Sequence, residues 1–147
     1  MIPEPDGAGD CQRLLVYGTL RRGLRLHHHL ERLGALFLSE AEVAAELFDL
    51  GSYPGARPVI GKGKWVCGEL FQLRRTFHDL KVLDQVEGFI PEAPDRSEFV
   101  RALTPVFLPN GSCKEAWIYW LSAPSRAGHR RIASGDYAEW QARNGTV

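Results

Sequence analysis

The chain has 147 residues, in which 18 Lys and Arg balance 18 Asp and Glu, and 44% of its residues are hydrophobic. This length is sufficient for one domain that buries its core without a metal or disulfide staple. A formally neutral chain has no overall field that would gather nucleic acid or anionic lipid, so neither is expected as a partner. No apolar run approaches the roughly 18 residues of a membrane-spanning helix, so no membrane span is expected.

The cysteines Cys11, Cys67 and Cys113 are odd in number and widely spaced. This pattern argues against a disulfide framework and against a thiolate zinc site. It is typical of a reducing compartment, and we expect a cytoplasmic protein. The acidic, Pro-rich start has neither the basic nor the apolar region of a signal peptide. We predict a flexible N-terminal arm over residues 1–11 and a single domain over residues 12–147.

The first half of the chain predicts strands around one short helix. Residues 13–17 form an apolar run that is typical of a covered strand. Residues 24–33 predict a helix because leucines recur at spacings of four and three, and Gly34 would end it. Residues 36–50 favour two strand segments, and residues 64–73 favour one further strand.

The second predicted helix covers residues 77–86, with Thr76 as its N-cap and Gly88 at its C-terminal end. Its apolar face would consist of Phe77, Leu80, Leu83 and Val86. Asp79 and Asp84 fall elsewhere on the helix surface. We therefore expect these two aspartates to lie outside the apolar face.

Two more strands are predicted over residues 98–108 and 114–121, because Asn110-Gly111 between them is typical of a hairpin turn. A last short helix is predicted over residues 136–143. Helices do not alternate regularly with strands, which argues against a doubly wound parallel sheet. The predicted fold class is α+β: a small mixed β-barrel or curled sheet with two or three short helices.

The loop Tyr17-Gly18-Thr19-Leu20, directly after the first strand, is the most informative segment. Glycine permits a sharp turn and lets backbone N–H groups approach a ligand, and successive N–H groups form an anion-binding hollow. Gly18 and Gly23 have the spacing of a phosphate-binding loop, but the Lys-Ser/Thr pair is absent after Gly23. From local physics alone, a tight strand-to-helix turn without a ligand is an equal alternative.

Further stretches follow this loop in a fixed order. They are Ala45-Glu46-Leu47-Phe48-Asp49-Leu50-Gly51-Ser52-Tyr53-Pro54, Val66-Cys67-Gly68-Glu69-Leu70-Phe71, Leu83-Asp84-Gln85-Val86-Glu87-Gly88, Phe99-Val100-Arg101 and Ala116-Trp117-Ile118-Tyr119. The order and spacing of these stretches resemble the γ-glutamylcyclotransferase-like family over about residues 13–137. The resemblance includes the loop segment Val16-Tyr17-Gly18-Thr19-Leu20-Arg21-Arg22-Gly23. One departure is Phe99, where the family motif has Tyr.

The resemblance implies a small barrel with a cavity, and an enzyme (a lyase or acyltransferase) that cyclises a γ-glutamyl group. The substrate's α-amine attacks its own γ-carbonyl, 5-oxoproline forms, and an amine or amino acid leaves. A small-molecule γ-glutamyl substrate is therefore the expected partner, and neither a cofactor nor a metal is expected. The resemblance leaves the departing amine and the oligomeric state open.

Carried onto this chain, the resemblance makes Glu87 the general acid and base. The candidate substrate-binding residues are Tyr17, Gly18, Thr19, Leu20 and Tyr119. A Glu at a helix end is commonly a solvated surface residue, so a working Glu87 should be partly buried, with a pKa above the ordinary value of about 4.3. The alternative function is a non-catalytic small-ligand-binding or regulatory module on the same fold.

Other candidate residues favour structural roles. Neighbouring residues of a helix point about 100° apart, so His27-His28-His29 cannot all face one metal ion. Glu69 favours a rim or hydrogen-bonded structural role over lining a cavity. The cluster Arg21, Arg22 and Arg25 favours a solvated basic edge. The hydroxyls of Tyr53 and Tyr119 remain candidates for contact with a substrate.

Overall fold

The computed structural model describes residues 11–61, 63–122 and 129–144. Within these ranges the strands are β1 (Arg13–Val16), β2 (Leu36–Asp49), β3 (Pro54–Pro58), β4 (Trp65–Gln72), β5 (Phe99–Phe107), β6 (Cys113–Leu121) and β7 (Arg130–Arg131). The helices are α1 (His28–Leu33), α2 (Thr76–Glu87) and α3 (Tyr137–Asn144), and Pro94–Arg96 forms a short 3-10 helix.

Five strands close into a mixed barrel in the order β2-β4-β1-β6-β5, and β5 returns to β2 where Phe107 faces Glu42. β1 and β6 run parallel, whereas the other neighbouring strands of the barrel are antiparallel. The last residues of β2 extend past the barrel and pair with β3 and β7. The predicted α+β class, a small mixed barrel with short helices, is confirmed.

The core has two apolar clusters that share β1. Leu15 belongs to the cluster formed mainly by strand residues, whereas its neighbour Leu14 packs in a second cluster with helix residues such as Leu30 and Leu83. Successive side chains of a strand point to opposite faces, so β1 is covered on both. Burying one such leucine stabilises the fold by about 1.5–3 kcal/mol.

Helix α1 begins at His28, so the prediction that it starts at residue 24 was wrong. The preceding residues form turns, because the Leu24 N–H binds the Arg21 carbonyl at 3.0 Å and the Leu26 N–H binds the Thr19 carbonyl at 2.9 Å. The two segments predicted over residues 36–50 are one continuous strand, β2. Its pairing with β4 is irregular between Phe37 and Ser39, and this local irregularity lets a long strand bend.

Helix α2 carries two corrections. Its N-cap position is Arg75 rather than Thr76, and the Asp79 carboxylate accepts the Arg75 N–H at 3.0 Å. Phe77, predicted on the buried face, is 60% exposed, whereas Asp79 and Asp84 are buried. The prediction for the other end is confirmed, since Gly88 adopts a left-handed conformation with φ of 72°. Glu87 is therefore the last residue of the helix.

The predicted hairpin is confirmed, with Gly111 at φ 87° between β5 and β6. The predicted N-terminal arm lies outside the described residues, except for Cys11. That residue is buried, and its thiol donates to the Glu115 carbonyl at 3.4 Å. Among the described residues, none of the helices is long and apolar enough to cross a membrane.

The Leu83→Ala substitution tests how α2 is held against the barrel. Leu83 is fully buried, so its truncation should lower the free energy of unfolding by about 2–5 kcal/mol in denaturant titrations. Phe77→Ala on the same helix is the matched control and should change stability by less than about 1 kcal/mol, because Phe77 is largely exposed. Equal losses from the two variants would contradict this packing.

Candidate functional site

One cavity lies where the end of β1 approaches the C-terminal end of α2. The loop that follows β1 lines one side, and α2, the start of β3, the start of β5 and β6 supply the rest of the wall. The lining residues include Tyr17, Gly18, Thr19, Leu20, Tyr53, Pro54, Glu87, Glu98, Phe99 and Tyr119. All six residues predicted for the site, Glu87, Tyr17, Gly18, Thr19, Leu20 and Tyr119, thus lie around the same cavity.

Gly18 is required by close packing rather than by an unusual backbone angle. A Cβ atom at this position would lie 2.8 Å from Cγ and 3.1 Å from Cδ of Pro54. The loop turns at once, since the Arg21 N–H donates to the Gly18 carbonyl at 3.0 Å. Within the described part of the chain, the N–H groups of Thr19 and Leu20 donate to no backbone carbonyl. Thr19 and Leu20 both line the cavity, and neither amide is used by a backbone acceptor.

Arg21 fixes the end of this loop to the barrel. Its Nε lies 3.3 Å from Oε2 of Glu69, and its second guanidinium nitrogen lies 3.0 Å from Oδ1 of Asp136. Glu69 also accepts the Arg22 N–H at 2.8 Å. Arg21 is only 7% exposed, so the prediction that it belongs to a solvated basic edge was wrong. The structural role expected for Glu69 is confirmed.

Glu87 is half-buried at the end of α2. Burial in the protein, and secondarily the charge of Glu98, raise the pKa of Glu87 to about 7. No hydrogen bond from another described residue reaches its carboxylate. Among the described residues that line the cavity, Glu87 and Glu98 are the charged ones. The carboxyl group of Glu87 is therefore free for a ligand, and both of its protonation states are populated near neutral pH.

The tyrosine hydroxyls of the cavity wall already have partners within the protein. Tyr17 donates to the Tyr119 carbonyl at 2.6 Å and accepts the Ala56 N–H at 3.1 Å. The Tyr119 hydroxyl donates to Asp84 Oδ1 at 2.6 Å, and the Tyr53 hydroxyl donates to Glu98. Burial raises the pKa of both Tyr17 and Tyr119. Tyr17 and Tyr119 therefore contribute shape to the wall, and their hydroxyls hold the barrel together.

Neither Glu98 nor the pairing of Asp84 with Arg101 is predicted from the sequence. Arg101 binds both carboxylate oxygens of Asp84, at 2.8 Å and 3.0 Å. Asp84 lies one helical turn before Glu87, and this spacing is the only feature of the sequence that links the two acids. Nothing in the sequence around Glu98 distinguishes it from a surface glutamate.

The histidine run does not assemble a metal site. His27 Nδ1 lies 2.9 Å from the Leu20 carbonyl oxygen, and the rings of His28 and His29 are 4.1 Å apart. No group of three metal-ligating side chains comes together among the described residues. His27 instead fastens the loop that lines the cavity.

A closed barrel whose cavity is lined by Glu87 and Glu98 is typical of a protein that binds a small molecule. The chain matches the family described as gamma-glutamyl cyclotransferase, AIG2-like, over residues 14–139, and it belongs to this family. Membership supports an enzyme of the gamma-glutamylcyclotransferase type with a small-molecule substrate.

The proteins similar to this chain include two named relatives and an AIG2-like solved structure. A Vibrio cholerae protein provisionally named a gamma-glutamylcyclotransferase is 32% identical over 126 residues, which are 86% of this chain and 95% of that protein. The gamma-L-glutamyl-butirosin B gamma-glutamyl cyclotransferase of Niallia circulans is 30% identical over 72% of this chain and 64% of that protein. An AIG2-like protein of Mus musculus shares the fold with a TM-score of 0.63 and 22% identity, over 78% of this chain and 79% of that one.

The contact between Gly18 and Pro54 is tested by a double-mutant cycle. Gly18→Ala should lower the free energy of unfolding by about 1–3 kcal/mol, because the new methyl group would overlap the proline ring. Adding Pro54→Ala should recover part of that loss, which shows as a coupling energy between the two positions. Strictly additive effects would mean that the proline ring does not determine the need for glycine.

The electrostatic state of Glu87 is tested by the stability of Glu87→Gln as a function of pH. The pKa rises from 4.5 to about 7 on folding, so folding takes up a proton between these values. The favourable contribution of Glu87 is thus complete below about pH 4.5 and is lost as the pH rises through 7. The variant should gain up to about 3 kcal/mol over wild type between pH 4.5 and pH 8 in denaturant titrations.

The matched control for that titration is Glu115→Gln, which removes an exposed carboxylate on β6 outside the cavity. It measures the background effect of removing one carboxylate over the same pH range. A pH-dependent difference for Glu87→Gln no larger than this background would show that the Glu87 carboxyl group is solvated in the folded protein.

Proposed function

We propose that this protein is a γ-glutamylcyclotransferase that converts a γ-glutamyl amine or γ-glutamyl amino acid into 5-oxoproline, with Glu87 as general acid and base. The observation that carries the proposal is that Glu87 and the loop Tyr17-Gly18-Thr19-Leu20 line one cavity although they are far apart in the chain. Membership in the gamma-glutamyl cyclotransferase, AIG2-like family supports the same reaction.

The reaction joins two atoms of one substrate. The α-nitrogen attacks the γ-carbonyl carbon, so a new carbon–nitrogen bond closes the five-membered ring. The bond from the same carbon to the departing amine then breaks. Two protons leave the former α-ammonium and two end on the departing amine, so no external proton donor, oxidant or reductant is required.

Glu87 is suited to move these protons. An α-ammonium is not nucleophilic until it loses a proton, and the departing nitrogen must gain one before it leaves. A carboxyl group with a pKa of about 7 can accept the first proton and later return it, which contributes about 10²–10⁴-fold to the rate. An ordinary solvated glutamate would be too weak a base to hold that proton near neutral pH.

The loop is suited to bind and orient the glutamyl group. The amides of Thr19 and Leu20 offer donors to a carboxylate or to the oxyanion that develops on the γ-carbonyl. Holding nucleophile and carbonyl together in a ring-forming pose lowers the barrier by up to about 7–11 kcal/mol. The anchor of Arg21 on Glu69 keeps the loop from rearranging around the substrate.

The second candidate is a module that binds a γ-glutamyl ligand without turning it over. It is favoured by Phe99, which lines the cavity without a hydroxyl group, at a position where the resemblance leads one to expect Tyr. Tight binding of a γ-glutamyl compound with no 5-oxoproline after long incubation would support this candidate over the enzyme.

The proposed role of Glu87 is tested by the release of 5-oxoproline from a panel of γ-glutamyl amines and amino acids. Glu87→Gln keeps the shape of the side chain but cannot accept a proton from the α-ammonium, so kcat should fall about 10²–10⁴-fold. KM should change little, because the substrate is held mainly by the loop. Wild type and Glu115→Gln should be equally active, and circular dichroism should show the same fold for all three proteins. Equal release by wild type and Glu87→Gln would remove Glu87 from the mechanism.

A further inference from the structure

We propose that Glu98 determines which amine departs. The inference rests on the proposed function: Glu98 favours γ-glutamyl compounds whose departing amine carries a second ammonium group over those whose departing amine carries a carboxylate.

Glu98 is held rigidly at the solvent side of the cavity. Its backbone N–H binds the Gly88 carbonyl at 3.2 Å, and its carbonyl accepts the Ser122 N–H at 2.8 Å. Its carboxylate accepts a hydrogen bond from the Tyr53 hydroxyl. The side chain is exposed, whereas Glu87 on the same cavity wall is half-buried. Of the two acids that line the cavity, Glu98 is therefore the solvent-exposed one and Glu87 the more buried one.

The cavity wall supplies no positive side chain that would balance Glu98. Lys, Arg and His are absent from the described residues that line it. Arg101, a nearby cation, is committed to both oxygens of Asp84. Within the described ranges, Glu98 forms no ion pair, and a hydroxyl is its side-chain partner. A cation at this position must therefore come from the ligand.

These positions imply a preference among substrates. The γ-glutamyl part is common to all substrates, and its reacting nitrogen must reach Glu87. The departing amine leaves toward solvent, so its far end passes Glu98. An ammonium group there gains an attractive interaction, and a carboxylate meets a like charge. At a partly solvated site, each interaction should change kcat/KM about 2- to 5-fold. The two factors multiply when a cationic substrate is compared with an anionic one.

The test uses three γ-glutamyl compounds of similar length that differ in the terminal group of the departing amine. They are the derivatives of butylamine, of 1,4-diaminobutane and of 4-aminobutanoate, which end in a methyl, an ammonium and a carboxylate group. For wild type, kcat/KM should rank the ammonium compound first and the carboxylate compound last. In Glu98→Gln the ratio between these two should fall about 4- to 25-fold. In Glu98→Lys the order should invert.

Two controls separate local from general charge effects. Glu115→Gln removes an exposed carboxylate outside the cavity and should leave the wild-type ratio unchanged. Added salt should reduce the ratio more for wild type than for Glu98→Gln, because the variant lacks the Glu98 charge that salt screens.

The outcomes separate this inference from the proposed function. If wild type cyclises all three compounds with a ratio that Glu98→Gln leaves unchanged, Glu98 does not choose the amine, and the proposed function stands. If Glu98→Gln slows all three equally, the residue acts on the common glutamyl part, and the inference is overturned. If wild type releases 5-oxoproline from none of them but does so from a γ-glutamyl amino acid, the inference falls and the proposed function stands. If the folded protein releases 5-oxoproline from no γ-glutamyl amine or amino acid of either panel, both proposals fall.

Discussion

The buried carboxylate of Asp84 joins helix α2 to the barrel, and the geometry of the cavity depends on it. Arg101 of β5 binds both of its oxygens, and the Tyr119 hydroxyl of β6 adds a third hydrogen bond at 2.6 Å. Breaking a buried pair of this kind by removing one partner typically costs about 3–5 kcal/mol. Glu87 lies one turn further along the same helix, so this contact also sets the direction from which Glu87 reaches the cavity.

The loop that lines the same cavity is fixed by a different buried charge. Arg21 ties the Gly18 loop to Glu69 on β4 and to Asp136 before α3, while Pro54 packs against Gly18 from β3. The loop and Glu87 thus line one cavity but are held by independent contacts. This rigidity suits a reaction whose main requirement is that a flexible substrate be folded into a ring.

Periodicity and turn chemistry predict much of this fold. They indicate β1, β4, β5 and β6, the hairpin at Gly111 and the end of α2 at Gly88, because each depends on nearby residues. They fail where a distant contact decides the outcome. Asp84 is buried because its partners lie on β5 and β6, whereas Phe77, which was predicted on the apolar face, is exposed. The six predicted site residues share a cavity, but Glu98 could not be anticipated, since its role depends on Tyr53 from another part of the chain.

The account rests on the amides of the loop and the acid of α2 meeting around one ligand. A crystal structure of Glu87→Gln with an uncleaved γ-glutamyl amine tests this most directly. We expect the γ-carbonyl oxygen within hydrogen-bonding distance of the Thr19 or Leu20 amide, and the α-nitrogen beside the side chain of residue 87. A ligand bound elsewhere, or a residue 87 side chain turned away from it into solvent, would contradict the account.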